Sequence, residues 1–217
     1  MSTTRRTILG GALAAPFLTR FAGTAAGETT DQTLGTVTGG WVEVRWTPQA
    51  KEQLDLFGAT VEPLAPATWA TGDDGGKAGV RFPIVSGRGD PSPDDRQAAR
   101  GSGRCAGGMV VRTMLTRLEI TDLQPTLADE VVSGRYKVNG IESGSQSLLR
   151  CDSAQGRLLA APVPAGRPQT VRIEGVTVHA TPESLDAATT ALGVLPLSTD
   201  TVIGYARGLL VYTPPRP

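Results

Sequence analysis

The chain has 217 residues, of which 39% are hydrophobic and 19% charged, and its 21 basic side chains balance 21 acidic ones. This length is typical of one domain with a sizeable core or of two small ones. A chain without long runs of one charge argues against a nucleic-acid partner, which needs clustered Lys and Arg, and against a polybasic patch for membrane binding.

The N-terminal segment has the features of a twin-arginine export signal. Arg5 and Arg6 follow a small polar residue and precede one free position and two apolar residues. The apolar stretch Ile8–Leu18 is too short to cross a hydrocarbon core, which needs about 20 helical residues. We therefore predict that the twin-arginine translocase recognises Arg5 and Arg6 during export.

A cleavage site follows the apolar stretch. A cut between Ala26 and Gly27 places small residues, Thr24 and Ala26, at the two positions that signal peptidase reads. Residues 1–26 are thus predicted to be a signal peptide, and the mature protein to be secreted or retained in the cell envelope without a stable membrane anchor. An uncleaved segment that serves as an anchor is the alternative.

The mature part begins with a polar segment, residues 27–39, which we predict to be a flexible lead. Trp41–Trp46 then alternates apolar and charged residues, which predicts a half-buried strand. Thr47 and Pro48 are typical of a helix start, and Gly58 stands where that helix would end.

The same pattern returns near the C-terminus. Val176–Ala180 alternates, Thr181 and Pro182 predict a second capped helix, and Gly193 predicts its end. A strand–helix–strand unit is therefore expected at both ends of the domain, as a pseudo-repeat.

The middle of the chain predicts further strands. Thr71–Lys77 and Ser86–Arg104 are predicted to be loops, because they are rich in turn residues and lack periodicity. The fold expected from these patterns is mainly β: one antiparallel β-sandwich-like domain over residues 40–213, with two short capped α-helices. The strands predicted in this middle part and before the second helix are Val80–Ile84, Met109–Leu115, Arg117–Thr121, Val131–Asn139, Ser147–Cys151, Arg157–Ala161 and Thr170–Ala180.

Two cysteines are present, Cys105 and Cys151. In an exported protein two cysteines usually pair, because the compartment lacks a reducing thiol pool. We therefore predict a disulfide between them, which would stabilise the fold by about 4 kcal/mol in the loop-closure model. Two free buried thiols are the alternative.

The sequence predicts no catalytic residue, metal site or cofactor. The single histidine, His179, lies in an alternating strand, and no nucleophile elbow or phosphate-cradling loop is present. One histidine and two cysteines do not easily supply the three ligands of a catalytic zinc site. Paired carboxylates could still hydrolyse a glycoside, and the available side chains are Glu119, Asp122, Asp129 and Glu130.

The order of motifs resembles a group of secreted actinobacterial cell-surface proteins that are similar to the HtaA-type domain of haem uptake. The resemblance rests on the Val-x-Val strand that enters a Pro-started helix, the Phe82–Ile84 strand, the glycine-rich segment Gly103–Met109, the segment Leu118–Asp122, and the final Thr-Pro helix before Ile203. It extends over about residues 40–211 and implies a β-sandwich-like domain at the cell surface.

The haem site of that group does not carry over. HtaA-type domains ligate haem through a tyrosine early in the domain, supported by histidine. In this sequence no tyrosine precedes Tyr136, and Cys105 occupies the position where the related pattern has histidine. The three tyrosines, Tyr136, Tyr205 and Tyr212, lie in strand-like segments, which predicts that they pack in the core or on a sheet.

The function expected from the sequence is therefore that of an exported, non-catalytic β domain that binds a ligand or a surface. Two alternatives remain: a secreted carboxylate-based hydrolase, and a haem-binding protein of the HtaA kind. A hydrolase requires two carboxylates close together in a concave site.

Overall fold

The computed structural model describes residues 34–90, 100–153, 156–160, 166–193 and 197–215. These residues belong to one compact unit, Gln32–Pro217, and form twelve strands and two α-helices. In chain order the elements are β1 Gly35–Trp46, α1 Pro48–Leu56, β2 Thr60–Leu64, β3 Thr68–Thr71, β4 Lys77–Asp90, β5 Arg100–Cys105, β6 Gly108–Arg112, β7 Arg117–Thr126, β8 Val131–Val138, β9 Ile141–Asp152, β10 Arg157–Ala160, β11 Gln169–Ala180, α2 Pro182–Leu192 and β12 Val202–Thr213.

Eight of the strands close into an antiparallel barrel. The ladder runs β7-β5-β4-β1-β12-β11-β9-β8, and β8 then pairs with β7, so that the sheet returns to its start. The pair β2 and β6 extends the wall beside β7, β3 pairs with β4, and β10 pairs with β11. The expected β-rich fold with two helices is confirmed, but the sandwich is wrong in its architecture: alternation predicts one buried face and does not distinguish two packed sheets from one closed sheet.

The strands of the barrel are strongly staggered. Trp46 at the end of β1 pairs with Gly204 of β12, which pairs with Val178 of β11, which in turn pairs with Cys151 of β9. When the hydrogen-bonded residues are followed further around the barrel, the path returns to β1 at Gly35, near the start of that strand. A stagger of this kind requires the strands to tilt against the barrel axis and widens the interior. The closure therefore encloses a lumen.

Both helices begin at the same end of the barrel. The Thr47 side chain accepts a hydrogen bond from the N–H of Ala50 and donates one to the carbonyl of Val202, at 3.0 Å. Thr181 accepts from the N–H of Ser184 and donates to the carbonyl of Ser147, at 2.7 Å. Each cap thus satisfies a helix N–H and fastens the helix start to a neighbouring strand.

Several predicted boundaries differ from the structure, among them the ends of β6, β7 and β9, and two of the differences change the barrel. β1 begins at Gly35, so residues 35–39 belong to the barrel and not to the expected flexible lead; the β-branched residues Thr36 and Val37 pair with β4 and β12. Ser86–Arg104 is not one loop, because Ser86–Asp90 and Arg100–Arg104 form the ladder between β4 and β5. The glycines of these two strands hid the strand pattern in the sequence.

Neither described helix is long and apolar enough to cross a bilayer.

The core lies inside the barrel and beneath the helices. A larger cluster of buried residues joins the wall around Phe82, Leu118 and Leu148 to the small residues Ala187 and Ala191 of α2. A smaller one is formed by Val44, Val176, Val178 and Ala206. Side chains of α1 and α2 therefore bury their apolar faces against the wall, which places both helices where they can line the interior.

Candidate functional site

The barrel encloses a cavity of about 460 Å³. Its wall is formed by the inward-facing residues of the strands, and nearly all of these are apolar. Val42, Val44 and Trp46 of β1 show the pattern, because every second residue of this strand faces the cavity. We call this cavity the lumen. Its volume lies within the range of about 300–1,000 Å³ that is typical of small-molecule sites.

The two helices contribute to the lumen at their end of the barrel. It is lined there by Leu54 of α1, by Phe57, which directly follows α1, and by Leu185 and Leu192 of α2. Leu54 and Phe57 are three positions apart and Leu185 and Leu192 seven, the spacings of one helix face, so that face of each helix is turned toward the lumen.

Tyr212 narrows the lumen near the opposite end of β1. Its side chain extends from β12 across β1, and its hydroxyl donates to the carbonyl of Gly89 at 3.1 Å. Burial raises the pKa of Tyr212, and Asp90 raises it further, while a backbone hydrogen bond with Gly35 lowers it. Gly35 has no side chain, and a Cβ there would collide with the tyrosine ring. The phenol is therefore neutral and fixed in place.

Glycines give the lumen its width between β4 and β5. Gly87 and Gly103 are paired in the ladder and both line the lumen. A Cβ on Gly87 would come within 3.3 Å of the Cβ of Val37, which is tighter than ordinary contact. The glycines that looked like loop residues in the sequence therefore bring two strands close while leaving space inside.

Few polar groups face the lumen, and only one of those described there is a carboxylate, Glu130. Its Oε1 accepts hydrogen bonds from both the N–H and the hydroxyl of Ser153, so the carboxylate fixes the end of β9. The other three candidate carboxylates do not converge on it: Glu119 pairs with Arg117, Asp122 pairs with Arg104, and Asp129 is exposed. The described residues therefore present no carboxylate pair in the lumen.

The two cysteines are free thiols in the structure, so the predicted Cys105–Cys151 disulfide is not present. Cys105 lies on β5 and Cys151 on β9, and β7 and β8 separate these strands. Three strand spacings correspond to about 14 Å along the wall, well beyond the Cα–Cα reach of a disulfide. Both thiols instead line the lumen, and the pKa of each is raised to about 11. Burial is the cause for Cys105, and burial together with the nearby charge of Glu130 is the cause for Cys151.

His179 is buried in β11 and does not line the lumen. Its Nδ1 has no hydrogen-bond partner among the described residues. Within the same residues no group of three His, Cys, Asp or Glu side chains is placed to bind a metal ion. The histidine is therefore not positioned beside a serine and an acid at this cavity, as hydrolytic catalysis would require.

The outer face of the same wall is charged. Glu43 is fully buried (0% exposed) although it points away from the lumen, because three arginines cover it: one on the same strand and one on each neighbouring strand. Arg45 Nε and Arg81 Nη2 each lie 2.8 Å from its carboxylate oxygens, and Arg207 Nε bonds to it as well. The guanidinium of Arg81 also stacks 4.2 Å from the ring centre of Trp41.

This network controls the protonation of Glu43. Burial alone would raise the pKa of the carboxyl group, but hydrogen bonds from Arg45, Arg81 and Arg207 lower it, and the net result is below the ordinary value of 4.5. Glu43 is thus a carboxylate at neutral pH. One negative charge among three positive ones neutralises the network only in part.

Sequence patterns located some of these residues and missed others. The alternation in Trp41–Trp46 and Val176–Ala180 identified inner faces, but nothing identified the lumen, because its lining residues are ordinary core types. Arg5, Arg6, Ala26 and Gly27, the predicted signal and cleavage residues, lie outside the described residues.

No protein-family model matches the sequence, and no curated protein does either. Among solved structures, the chain is similar to the crystal structure of the C-terminal domain of HtaA from Corynebacterium glutamicum. The two share 12% sequence identity with a TM-score of 0.47, over 82% of this chain and 99% of that one. A likeness of this size supports no inference about function.

Proposed function

We propose that the protein is a non-catalytic carrier or receptor that binds a small, mainly hydrocarbon molecule in the lumen of its barrel. We further propose that it works outside the cytoplasm, after export by the twin-arginine route that Arg5 and Arg6 predict. The observation that carries the binding proposal is the lumen itself: about 460 Å³ with an almost wholly apolar wall.

The magnitudes favour a hydrocarbon ligand. Measured cavity costs of about 24 cal/mol per Å³ imply that filling a lumen of this size is worth on the order of 10 kcal/mol. Losses of translation, rotation and ligand flexibility offset at least 4 kcal/mol of it. The remainder corresponds to dissociation constants in the micromolar range or above. Charged residues are a minority of the lining, and almost all of the wall is apolar, so we propose that the buried part of the ligand is mainly uncharged. The charged lining residues are Arg88, Arg104, Glu130, Arg157 and Arg207.

The two alternatives have less support. A carboxylate-based hydrolase needs paired acids, and Glu130 is the single described carboxylate that lines the lumen. A haem protein of the HtaA kind needs a tyrosine as axial ligand, supported by histidine. Tyr212 lines the lumen, but its hydroxyl is hydrogen-bonded to the carbonyl of Gly89, while Tyr205 is exposed and Tyr136 and His179 do not line the lumen.

Binding can be tested with the fluorescent probe N-phenyl-1-naphthylamine and a matched pair of variants on β12. Ala206→Phe inserts a ring into the lumen, whereas Tyr205→Phe changes the next residue, which faces outward. We expect the wild type and Tyr205→Phe to bind the probe equally, and Ala206→Phe to bind it at least tenfold more weakly. Long-chain alcohols should displace the probe.

Unfolding curves serve as the control, since overpacking can destabilise a core by about 1–3 kcal/mol. If Ala206→Phe does not fold, Val42→Phe, on the neighbouring strand β1, replaces it. Equal probe affinity of folded wild type and folded lumen variant would contradict the proposal, and so would a wild type that does not bind the probe.

A further inference from the structure

Four large apolar side chains are exposed at the end of the molecule where the β6–β7 and β8–β9 turns meet. Met114 is 99% and Leu115 89% exposed, at the β6–β7 turn, while Ile141 is 74% exposed at the β8–β9 turn and Leu56 72% at the end of α1. We call these four residues the tip cluster. Exposed apolar side chains grouped in this way mark interaction surfaces more often than scattered ones do.

Hydrogen bonds tie the two turns together. The N–H of Arg117 donates to the Oδ1 of Asn139, and the N–H of Asn139 donates to the carbonyl of Arg117, both at 2.9 Å. The pairing of Thr60 with Arg112 places the segment that follows α1 beside the same hairpin. The tip cluster is therefore one surface made by three connections of the chain.

The β6–β7 turn presents its apolar residues rigidly. Thr113 donates its N–H to the carbonyl of Thr116 at 2.9 Å, and its side-chain oxygen accepts from the N–H groups of Leu115 and Thr116. Three backbone N–H groups of the turn are thus satisfied internally, so these donors can leave water without losing their partners. Met114 and Leu115 are its outermost side chains.

The lumen reaches close to this surface. Val111 and Leu118 line the lumen and are a cross-strand pair, and the next pair along the hairpin is Arg112 with Arg117, directly before the turn. Phe57, which also lines the lumen, follows Leu56 in the chain. The tip cluster therefore lies near one end of the proposed ligand site.

We propose that the tip cluster inserts reversibly into the interfacial region of a lipid bilayer, and that the bilayer supplies or receives the lumen's ligand. This inference rests on the proposed function, since a hydrocarbon ligand dissolves poorly in water and must come from an apolar phase. A bilayer fits this surface better than a protein partner does. A stable protein interface buries about 800 Å² on each partner with good packing, which requires complementary shapes. Protruding turns are convex, and the fluid hydrocarbon of a bilayer can surround them without a complementary shape. The charged side chains beside the tips are partly exposed ion pairs, which would lie at the level of the headgroups and outside the hydrocarbon. They are Arg112 with Glu62, Arg117 with Glu119 and Lys137 with Glu142.

The test uses the full chain and vesicles of equal parts phosphatidylcholine and phosphatidylglycerol in a sedimentation assay. The double variant Met114→Asp/Leu115→Asp places charges on side chains that have no folded-state contacts to lose, so its unfolding curve should match that of the wild type. We expect its partitioning to vesicles to fall at least tenfold. Val85→Asp, an exposed apolar residue on the side of the barrel, should leave partitioning unchanged.

Binding of N-phenyl-1-naphthylamine in the absence of vesicles separates the two proposals. Loss of vesicle binding in the double variant, with normal probe binding, supports the inference. Probe binding by a wild type that sediments with vesicles no better than the double variant would overturn the inference and leave the proposed function intact. A wild type that does not bind the probe overturns the proposed function instead. Self-association through the tips, shown by a dimer that the double variant abolishes without any vesicle binding, would also overturn the inference.

Discussion

The two faces of β1 differ in the way that they are stabilised. Val42 and Val44 face the lumen, where any apolar neighbour of the right size serves, while Glu43 and Arg45 face outward into a network with specific partners. An apolar face has no directional partner, so it can accept a ligand in place of a side chain. The outer face cannot, because each group in it depends on the others. The comparison explains why the ligand is proposed inside the barrel although the charged cluster lies outside.

The largest effect should come from a charge on the inner face. Val44→Asp would place a carboxylate among Val176, Val178 and Ala206, with no described basic partner in that cluster. We expect a loss of about 4 kcal/mol or more in the free energy of unfolding, or failure to fold, measured by urea denaturation. Val211→Asp, at an exposed position of β12, should cost much less. A stable Val44→Asp variant would mean that the lumen is filled with water.

On the outer face, Glu43→Gln removes the charge that holds three guanidinium groups together. We expect a loss of about 2–3 kcal/mol at pH 7, less than for a fully buried pair because the arginines stay partly in solvent. Since the folded-state pKa of Glu43 is lowered, its contribution is present above the unfolded-state pKa and is lost as the pH falls through the folded-state value. Urea denaturation from pH 7 to pH 3 should therefore show a smaller acid loss for the variant than for the wild type. Parallel curves would contradict this role.

The thiols test whether the lumen excludes water. Burial raises the pKa of Cys105 and Cys151 from 9.0 to about 11, which lowers the thiolate fraction at pH 8 about 100-fold. We expect slow alkylation by iodoacetamide in the native protein and fast alkylation of both thiols in urea without reductant. The raised pKa also means that stability is intact below pH 9 and falls as the pH approaches 11. If the thiols react in urea only after reduction, the disulfide predicted from the sequence is present and the free thiols of the structure are wrong.

The smallest effects should come from the helix caps. Thr47→Ala and Thr181→Ala each remove a cap and a bond to a neighbouring strand, at a cost of about 1 kcal/mol or somewhat more. Thr181 also belongs to a capping box with Ser184, so its loss should be the larger of the two. Urea denaturation measures both. A cost that differs severalfold would show that the two helix starts are not equivalent, and would weaken the pseudo-repeat.

The sequence predicted local structure well where a short pattern decides it. Thr47 with Pro48 and Thr181 with Pro182 start the helices, because the cap and the fixed φ of proline act within one turn. It could not predict closure, which depends on the pairing of β7 with β8 and on a stagger that only the whole sheet defines.

The sequence could not predict the lumen for a related reason. Gly87 and Gly103 lie in a segment whose composition is typical of a loop. That they leave space inside the lumen becomes visible only when β4 and β5 are paired. The buried Glu43 was equally invisible, since a carboxylate in an alternating strand predicts an exposed face. The disulfide prediction used the compartment alone and had no information on how far apart the wall places the two thiols.

The most direct test of the lumen as a ligand site is NMR of protein labelled at its valine methyl groups, titrated with a long-chain alcohol. Valines that line the lumen, such as Val42, Val44 and Val176, should shift and show contacts to ligand protons, whereas the exposed Val85 and Val211 should not. Shifts confined to the exposed valines, or no shifts at saturating ligand, would contradict the account.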